Sequence, residues 1–393
     1  MERVAIVASA RTPIGKFLGS FADLSAAELG MVATRGLLER ARVAPADVDE
    51  LIYGCARQAG GGPNMARQVL IGAGIPKERP AFTVNQACGS GLQSILLAAD
   101  HIRLGKARVV VAGGAENMTR VPYLLDRARL GYRLGNAPLV DGMYKDGFLD
   151  PICGMLMGET AEKLADIYSI SRDEQDAYSL ESQRRAGVAI QEKRFDKEIV
   201  PVTVKGRKGE STIVADEHPR PESTPADLKK LPPVFREGGT VHAGNSSGIT
   251  DGAASVLVVG ESVVRERGLT PQAWMGPSST VGVDPSIMGI GPVPAVREVL
   301  AAAGRELNAY DLVELNEAFA AQVLACDRDL GFDRNRLNVN GGAIALGHPI
   351  GATGARFVTT LLHEMERRNA RLGLATLCVS GGLGIALELE RSA

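Results

Sequence analysis

The sequence predicts an α/β protein built from two similar halves, with a segment of different character between them. Short apolar runs alternate with helical patterns along the 393 residues, which is typical of mostly parallel sheets covered by helices. An apolar strand that reaches a glycine pair recurs in each half: TVNQACGSG and ARVVVAGGAE in the first, NVNGG and LATLCVSGG in the second. This repetition is too long for a solenoid period and indicates a duplication.

The first half shows the alternation of strands and helices most clearly. A capping box at Ser25 and Glu28, in which each side chain bonds the other residue's backbone N–H, begins its first helix. The predicted strands are VAIVASA near the N-terminus, 51–56, the run ending at Asn85 and 107–116, and the predicted helices are 25–40, 65–73 and 89–104.

The second half repeats this theme. DLVELNEAFAAQVLACDRDLG predicts a strand and a helix, and LNVNGGAIALGHPIGATGARFVTTLLHEMERR predicts a strand, a glycine-rich turn and a helix. LGLATLCVSGGLGIALELE predicts two strands around a glycine turn. A further strand, over 255–259, is predicted outside this half, in the part of the chain that follows the middle segment.

Residues from about 117 to 245 have a different texture. A second capping box, from Ser171 to Glu174, begins a helix to about Lys193, and residues 204–233 are charged and rich in proline. Such a stretch inside a compact protein is usually a linker or a surface excursion, often a functional one. We expect an N-terminal half of residues 1–117 and 246–268, an inserted loop domain of residues 118–245 that covers a site made by the halves, and a C-terminal half of residues 269–393.

Composition and charge exclude several classes of protein. The formal net charge of −2 gives no indication of a nucleic-acid or anionic-membrane partner. The five cysteines are odd in number and lack zinc-ligand spacing, so we expect a reducing compartment, no disulfide framework and no metal site. The apolar run Val4–Ala8 is too short for a signal peptide, and no run approaches transmembrane length. These observations predict a cytoplasmic protein.

Cys88 is the first candidate for chemistry, because it stands in VNQACGSGLQS where an apolar run gives way to a glycine-flanked helix start. The thiolate is the reactive form of cysteine, and unpaired N–H groups at a helix N-terminus stabilise an anion. Gly89 and Gly91 would let a substrate approach backbone N–H groups that could face an oxyanion. A buried small apolar residue is the alternative. That alternative is accepted for Cys55, Cys153 and Cys326.

His348 is the candidate base. It lies in GGAIALGHPIGATGAR, in a turn between a strand and a helix, with Pro349 next to it and glycines on both sides. The other histidines lie in amphipathic helices or in the polar middle segment. A base whose pKa is near neutrality is what a cysteine nucleophile needs, and a histidine that merely satisfies a turn is the alternative.

Cys378 and Asn316 complete the candidates. Cys378 ends an apolar strand in CVSGGLG, and Asn316 lies at a strand-to-helix junction in ELNEAFAAQ, where its amide could position a water or polarise a carbonyl. The alternatives are a core cysteine and a helix N-cap. The turn-rich stretch VHAGNSSGITDGAAS is either a loop that contacts a ligand or a series of ordinary turns. Each catalytic candidate stands at the carboxyl end of a predicted strand, the edge at which open α/β sheets build their sites.

Together these motifs resemble those of the thiolase family, the acetyl-CoA C-acetyltransferases and 3-ketoacyl-CoA thiolases. The resemblance covers essentially the whole chain, because SARTPIGKF, NQACGSGLQS, VAGGAENM, MGETAE, AGNSSGITDGAA, NEAFA, NVNGGAIALGHPIGATGAR and CVSGGLG occur in the family order. It implies a five-layered αβαβα fold of duplicated halves with an inserted loop domain. It also implies a dimer or tetramer and coenzyme A thioesters as substrates, and no metal or redox cofactor.

The resemblance implies a role for each matching residue. Cys88 would take up the acyl group as a thioester, and His348 would activate that thiol. Cys378 would remove or return the α-proton of acetyl-CoA, and Asn316, through a water, would share with His348 an oxyanion hole for the enolate. The backbone N–H groups of Cys88 and Ser380 would hold the acyl-enzyme oxyanion. The implied substrate contacts are Leu156, Met157, Arg220, Ser247, Ala318 and Phe319.

Two positions depart from the family pattern. Many biosynthetic members have a histidine before the MG of MGETAE, where this chain has Leu156. That change leaves open the choice between acetoacetyl-CoA and longer acyl chains. Many members also have glycine where this chain has Ser380, a change that keeps the backbone N–H.

Three alternatives differ in their need for a second thiol. A carrier-protein-dependent ketoacyl synthase shares the fold and the cysteine but lacks a second catalytic cysteine, and a Cys–His thioester hydrolase needs none. A non-catalytic acyl-CoA-binding relic should have lost Cys88, His348 or Cys378, and all three are present. The direction of the reaction stays open, because the same residues catalyse condensation and thiolysis.

Overall fold

The computed structural model describes residues 2–206 and 209–392. Strands occur in both halves and in the middle segment. The strands are β1 (Val4–Arg11), β2 (Gly15–Lys16), β3 (Glu50–Gly54), β4 (Ala81–Val84), β5 (Val109–Asn117), β6 (Tyr123–Leu124), β7 (Val140–Asp141), β8 (Leu149–Asp150), β9 (Met155–Leu156), β10 (Val202–Gly206), β11 (Gly209–Ile213), β12 (Thr250–Gly260), β13 (Ala273–Gly282), β14 (Leu312–Leu315), β15 (Leu372–Val379) and β16 (Leu383–Glu390).

Helices connect the strands of each half and fill the middle segment. The helices are α1 (Ala26–Ala41), α2 (Met65–Gly72), α3 (Ser90–Arg103), α4 (Met157–Ile167), α5 (Arg172–Gln191), α6 (Pro225–Lys229), α7 (Glu261–Arg267), α8 (Pro292–Ala303), α9 (Ala320–Leu330), α10 (Ala343–Leu346) and α11 (Thr353–Arg368). None of those in the described part of the chain is long and apolar enough to span a membrane.

The strand order reveals the duplication directly. One ten-stranded sheet has the order β14–β15–β16–β13–β1–β12–β5–β3–β4, with β2 paired to β12. Outward from the centre, β1, β12, β5 and β3 of the first half correspond to β13, β16, β15 and β14 of the second, and each pairing has the same direction in both halves. The counterpart of β4 is a parallel bridge between Val313 and Leu337. The strand predicted in LNVNGG is thus reduced to this bridge.

The expectation of mostly parallel sheets is wrong. The pairs β3/β4, β3/β5 and β14/β15 are parallel, whereas β12 pairs antiparallel with β1 and β5, and β16 pairs antiparallel with β13 and β15. β16 follows β15 through a tight turn, which requires an antiparallel pair, and β12 takes the same place in the first half. A buried apolar run reads the same in either direction, so the sequence pattern does not reveal this.

Helices lie between the two halves of the sheet and on the outer face of each half, which gives the five layers that the resemblance implies. α3 and α11 pack against each other in the middle, and their apolar faces join one cluster with strands of both halves. α1 and α2 cover the outer face of the first half. α8 and α9 cover the outer face of the second half. The αβαβα fold class is therefore confirmed.

The observed elements of the first half begin and end within about two residues of the predicted ones. The capping boxes at Ser25 and Ser171 both form. The strand predicted over 255–259 is the end of β12, so VHAGNSSGITDGAAS is partly strand. The charged stretch 204–233 includes the end of β10, together with β11 and α6. The proposed division into three domains remains a prediction.

Candidate active site

A cavity of about 640 Å³ lies where both halves meet the middle segment, a volume typical of small-molecule sites. It brings together nine of the residues that the sequence singles out. These are Cys88, His348, Ser380, Leu156, Met157, Arg220, Ser247, Ala318 and Phe319. Cys378 and Asn316 do not line the cavity. Among the described residues, no group of His, Cys, Asp and Glu side chains is arranged to hold a metal ion.

Cys88 lies in the tight turn between β4 and α3. Ala87, with φ of 45°, has a left-handed backbone, and Gly89 is the N-cap of α3. Burial raises the pKa of the Cys88 thiol, although the charge of Arg57 and the backbone N–H of Ser380 act in the opposite direction. The helix start therefore does not by itself produce the thiolate that the sequence suggested, because burial outweighs it. A neighbouring base has to take the proton.

The glycines around Cys88 permit close packing. A Cβ at Gly91 would lie 2.9 Å from the carbonyl oxygen of Gly351, and a Cβ at Gly89 would lie 2.8 Å from Oε1 of Gln86. These distances are shorter than carbon–oxygen contacts allow. We expected both glycines to clear a path for substrate. At Gly91, however, the missing side chain allows α3 to pack against the turn that carries His348.

His348 reaches the cavity from the turn before α11. Its Nδ1 lies 2.6 Å from Oγ1 of Thr353, whose hydroxyl donates to the Pro349 carbonyl at 3.0 Å. Because that bond uses the hydroxyl proton, Thr353 accepts the Nδ1 proton, and Nε2 carries the lone pair. Nε2 is buried and has no hydrogen-bond partner in the described part of the chain. Burial, with the charges of Arg356 and Arg57, lowers the pKa of His348 to about 3, so the ring is a neutral base at physiological pH.

Cys378 lies at the end of β15, opposite Gly384 of β16. Its side chain is buried and lies behind the cavity wall. Burial, and then the charge of the neighbouring Cys88, raises the pKa of Cys378 well above its ordinary value. Cys378 is therefore a protonated thiol in the resting site, and the two sulfurs are near enough for their charges to interact.

Asn316 follows β14 and is tied to β15 by its backbone N–H, which donates to the Thr376 carbonyl at 3.0 Å. Its side chain is buried, and neither amide atom has a hydrogen-bond partner among residues 2–206 and 209–392. It is not the N-cap of α9, which begins at Ala320 with Phe319 in the cap position. A buried amide with a free donor and a free acceptor is a suitable host for an ordered water.

The substrate-binding candidates form one wall through contacts between distant segments. The backbone N–H of Ser247 donates to the Ala318 carbonyl at 3.0 Å, which joins the loop before β12 to the loop before α9. The ring of Phe319 packs edge-on against Phe235, with centroids 6.2 Å apart. Beside Ser380, the backbone N–H of Gly381 donates to the carboxylate of Asp150, in the middle segment, at 3.0 Å. These contacts hold the second half and the middle segment around the cavity.

One buried carboxylate that organises the site is not among the residues predicted from the sequence. Glu116, at the end of β5, accepts the backbone N–H groups of Ala56, Arg57 and Gly351 at 2.9, 3.0 and 2.8 Å. It thus ties the loop after β3 to the turn that follows His348. Its place at the end of the strand in VAGGAENM was the available signal. Lining residues that were also missed include Arg57, Met118, His218, Phe235 and Met288.

Known proteins are similar to this chain in both amino-acid sequence and architecture. The thiolase N-terminal domain family matches residues 4–262, and the thiolase C-terminal domain family matches residues 269–391. The chain is 49% identical over 393 residues to an acetyl-CoA acetyltransferase of Syntrophomonas wolfei, with 99% of each chain covered. It is 50% identical over 391 residues to an acetyl-CoA acetyltransferase of Paracoccus denitrificans, with 100% of each covered.

The same relationship holds in three dimensions. The crystal structure of human mitochondrial 3-ketoacyl-CoA thiolase in complex with CoA aligns with a TM-score of 0.96 at 42% identity, over 100% of this chain and 98% of that chain. Its fold, like the one described above, spans both halves and the middle segment. With both family domains matched and full-length relatives at this identity, the chain belongs to the thiolase family.

Proposed function

We propose that the protein transfers acyl groups reversibly between coenzyme A thioesters through an acyl-enzyme on Cys88. In one direction two acetyl-CoA condense to acetoacetyl-CoA, and in the other a 3-ketoacyl-CoA is cleaved by coenzyme A. The observation that carries the proposal is a cavity lined by the Cys88 thiol and by a neutral imidazole, that of His348, whose Nε2 has no partner among the described residues. A second thiol, Cys378, is buried near Cys88. The acetyl-CoA acetyltransferase relatives and the CoA complex of the human thiolase support the substrate class.

The first half-reaction uses Cys88 and His348. Nε2 of His348 takes the thiol proton, and the thiolate attacks the thioester carbonyl carbon. The backbone N–H groups of Cys88 and Ser380 stabilise the oxyanion of the tetrahedral intermediate. The bond to the coenzyme A sulfur then breaks, the proton passes from His348 to the leaving thiolate, and the acyl group remains on Cys88.

The second half-reaction uses Cys378. In condensation, Cys378 first gives its proton to Nε2 of His348, and its thiolate removes the α-proton of acetyl-CoA. The enolate carbon attacks the acyl-enzyme and expels the Cys88 thiolate, which takes up the proton held by His348. Asn316, through a water, and His348 hold the enolate oxygen. In thiolysis the same steps run backwards, and Cys378 returns its proton to the departing carbanion. The protonated resting state of Cys378 is the form that this direction requires.

The lining residues that the family resemblance implies complete the proposal. Ser247, Ala318 and Phe319 contact the pantetheine arm, Arg220 lies toward the nucleotide, and Met157 with Leu156 shapes the acyl pocket. Leu156 adds apolar surface to that pocket, which favours acyl chains longer than acetoacetyl. No metal or redox cofactor takes part in any of these steps.

We also propose a cytoplasmic homo-oligomer, a dimer or tetramer. β4 is an edge strand of the large sheet, and its outer side pairs with no other strand in the described part of the chain. Several leucines in the segment between β5 and β8 are more than half exposed, an apolar surface suited to a second copy of the chain. They are Leu125, Leu130, Leu134 and Leu139. A monomeric mass by light scattering would contradict this proposal.

The test of the function is thiolysis of acetoacetyl-CoA and of a medium-chain 3-ketoacyl-CoA. Loss of enolate absorbance on addition of coenzyme A should occur with the wild type and disappear in Cys88→Ala. Cys153→Ala is the matched control, because Cys153 does not line the cavity, and it should retain activity. The ratio of the two rates gives the chain-length preference. A folded wild type that is inactive on both substrates would overturn the proposal in favour of a non-catalytic acyl-CoA binder.

A further inference from the structure

The cavity wall holds a cation that the steps above do not use. Arg57 lies on the loop directly after β3, and its side chain lines the same cavity as Cys88 and His348. Within the described residues, no carboxylate lies within 4 Å of its guanidinium and no acceptor bonds its side chain. Its Nε is buried and has no hydrogen-bond partner in that part of the chain. An unpaired, partly buried guanidinium is costly unless an anion forms beside it.

The surroundings of Arg57 fix its position. Its backbone N–H donates to Glu116 at 3.0 Å, and the same carboxylate binds Gly351, next to the turn of His348. A Cβ at Gly147 would overlap the guanidinium, so the absence of a side chain there makes room for Arg57. The cation therefore has a built place, between the loop after β3 and the middle segment, that faces the reacting residues.

Four ionisable groups from four elements surround the Cys88 thiol. They are Arg57 after β3, Glu116 on β5, His348 before α11 and Cys378 on β15. His348 is neutral and Cys378 is a thiol in the resting site. The carboxylate of Glu116 binds three backbone N–H groups and the Cys55 thiol, and its charge acts with burial to raise the pKa of Cys88. Arg57 is the positive group in this set. Any anion that forms at the sulfur meets its charge.

We propose that Arg57 stabilises the thiolate of Cys88 through space and thereby sets the reactivity of the nucleophile. This inference rests on the proposed role of Cys88. The charge of Arg57 opposes the effect of burial on the pKa of Cys88, and it also helps to keep the pKa of His348 low. The second effect weakens His348 as an acceptor of the Cys88 proton, but it favours the onward transfer of that proton from the imidazole to the leaving coenzyme A sulfur.

The test is the pH dependence of Cys88 alkylation by iodoacetamide, followed by mass spectrometry of the Cys88 peptide. In Arg57→Gln the midpoint of alkylation should move up by about 1 pH unit or more, since a nearby opposite charge changes a pKa by ~1–3. Arg57→Lys should restore most of the wild-type midpoint. The matched control is Arg103→Gln, which removes the same charge from the far end of α3 and should leave the midpoint unchanged.

Thiolysis of acetoacetyl-CoA provides a second readout. At pH 7, kcat/KM of Arg57→Gln should fall about ten-fold if the alkylation midpoint rises by about 1, and the loss should shrink as the pH is raised. Arg57→Met, which keeps the apolar stem, serves if the glutamine variant unfolds. An unchanged alkylation midpoint in a folded variant overturns the inference. If the midpoint is unchanged and only the activity on substrates with a carboxylate on the acyl chain is lost, Arg57 is a substrate contact and the inference is also overturned. A wild type whose Cys88 is not alkylated at all would refute the proposed function instead.

Discussion

At the scale of single residues, the site is marked by buried polar atoms that the protein leaves unpaired. Nε2 of His348 and both amide atoms of Asn316 have no partner in the described chain. Each such atom costs about 1–3 kcal/mol, so substrate or water has to complete it. The only side-chain bond of His348 is to Thr353, within the described residues, and that bond decides which ring nitrogen faces the cavity.

We expect Thr353→Val to lower kcat of thiolysis about ten-fold or more with little change in KM. The variant leaves Nδ1 without its acceptor, at a cost of ~1–3 kcal/mol, and releases the ring from the tautomer that acts as a base. Steady-state kinetics measure the effect. Thr359→Val is the matched control on the same helix, because Thr359 is equally buried and bonds only the Ala355 carbonyl. Equal activity of the two variants would show that Thr353 does not orient His348.

At the scale of elements, the site depends on how closely α3 approaches α11. Cys88 precedes α3 and His348 precedes α11, so the contact between these helices sets the distance between nucleophile and base. Glycine allows this contact: a Cβ at Gly354 would overlap the backbone nitrogen of Leu92. Backbone atoms cannot rotate away as a flexible side chain can, so the packing has no room to adjust.

Gly354→Ala should therefore lower the free energy of unfolding by about 1–3 kcal/mol, the usual cost of an added methyl group in a packed core. It should also reduce thiolysis, because the helices move apart. Gly282→Ala is the control, since a Cβ at Gly282 meets nothing within 4 Å, and its stability should change by less than about 1 kcal/mol. Urea unfolding compares the two, and similar midpoints would rule out the proposed packing role of Gly354.

At the scale of the whole molecule, a buried ion network joins the first strand to the middle segment. Arg11 of β1 is fully buried, donates from Nε to Glu198 at 2.5 Å and binds Asp216 with both terminal nitrogens, at 2.7 and 3.0 Å. The same Glu198 accepts a bond from Thr360 of α11 at 3.1 Å. The network thus ties the middle segment, which contributes residues to the cavity wall, to β1 and α11.

Arg11→Met should destabilise the protein by about 3–5 kcal/mol, because it leaves two buried carboxylates without their cation. The middle segment should also become more sensitive to limited proteolysis. Arg108→Met removes an exposed partner of Glu266 and should leave the stability almost unchanged, because solvent screens such a pair. Thermal unfolding measures the stability of the two variants, and limited proteolysis measures how accessible the middle segment is in each. If Arg11→Met matches Arg108→Met in stability, the network does not hold the segment.

The sequence by itself determined the features that local chemistry controls. The capping boxes at Ser25 and Ser171 need only residues three positions apart, and both form where predicted. The apolar runs predicted the strands, and their repetition predicted the duplicated fold, which the strand order confirms. The ordered motifs identified the family, and nine of the candidate residues do line one cavity.

Only the tertiary structure decided the features that depend on contacts between distant residues. The helix start at Cys88 favours a thiolate, but burial by segments far along the chain raises its pKa. Glu116 binds residues 60 and 235 positions away, and no local pattern indicates that its three N–H partners converge there. The antiparallel places of β12 and β16 were hidden for the same reason. Periodicity along a chain reports which side of an element is buried, whereas direction, charge and proximity at a site are set by what packs against it.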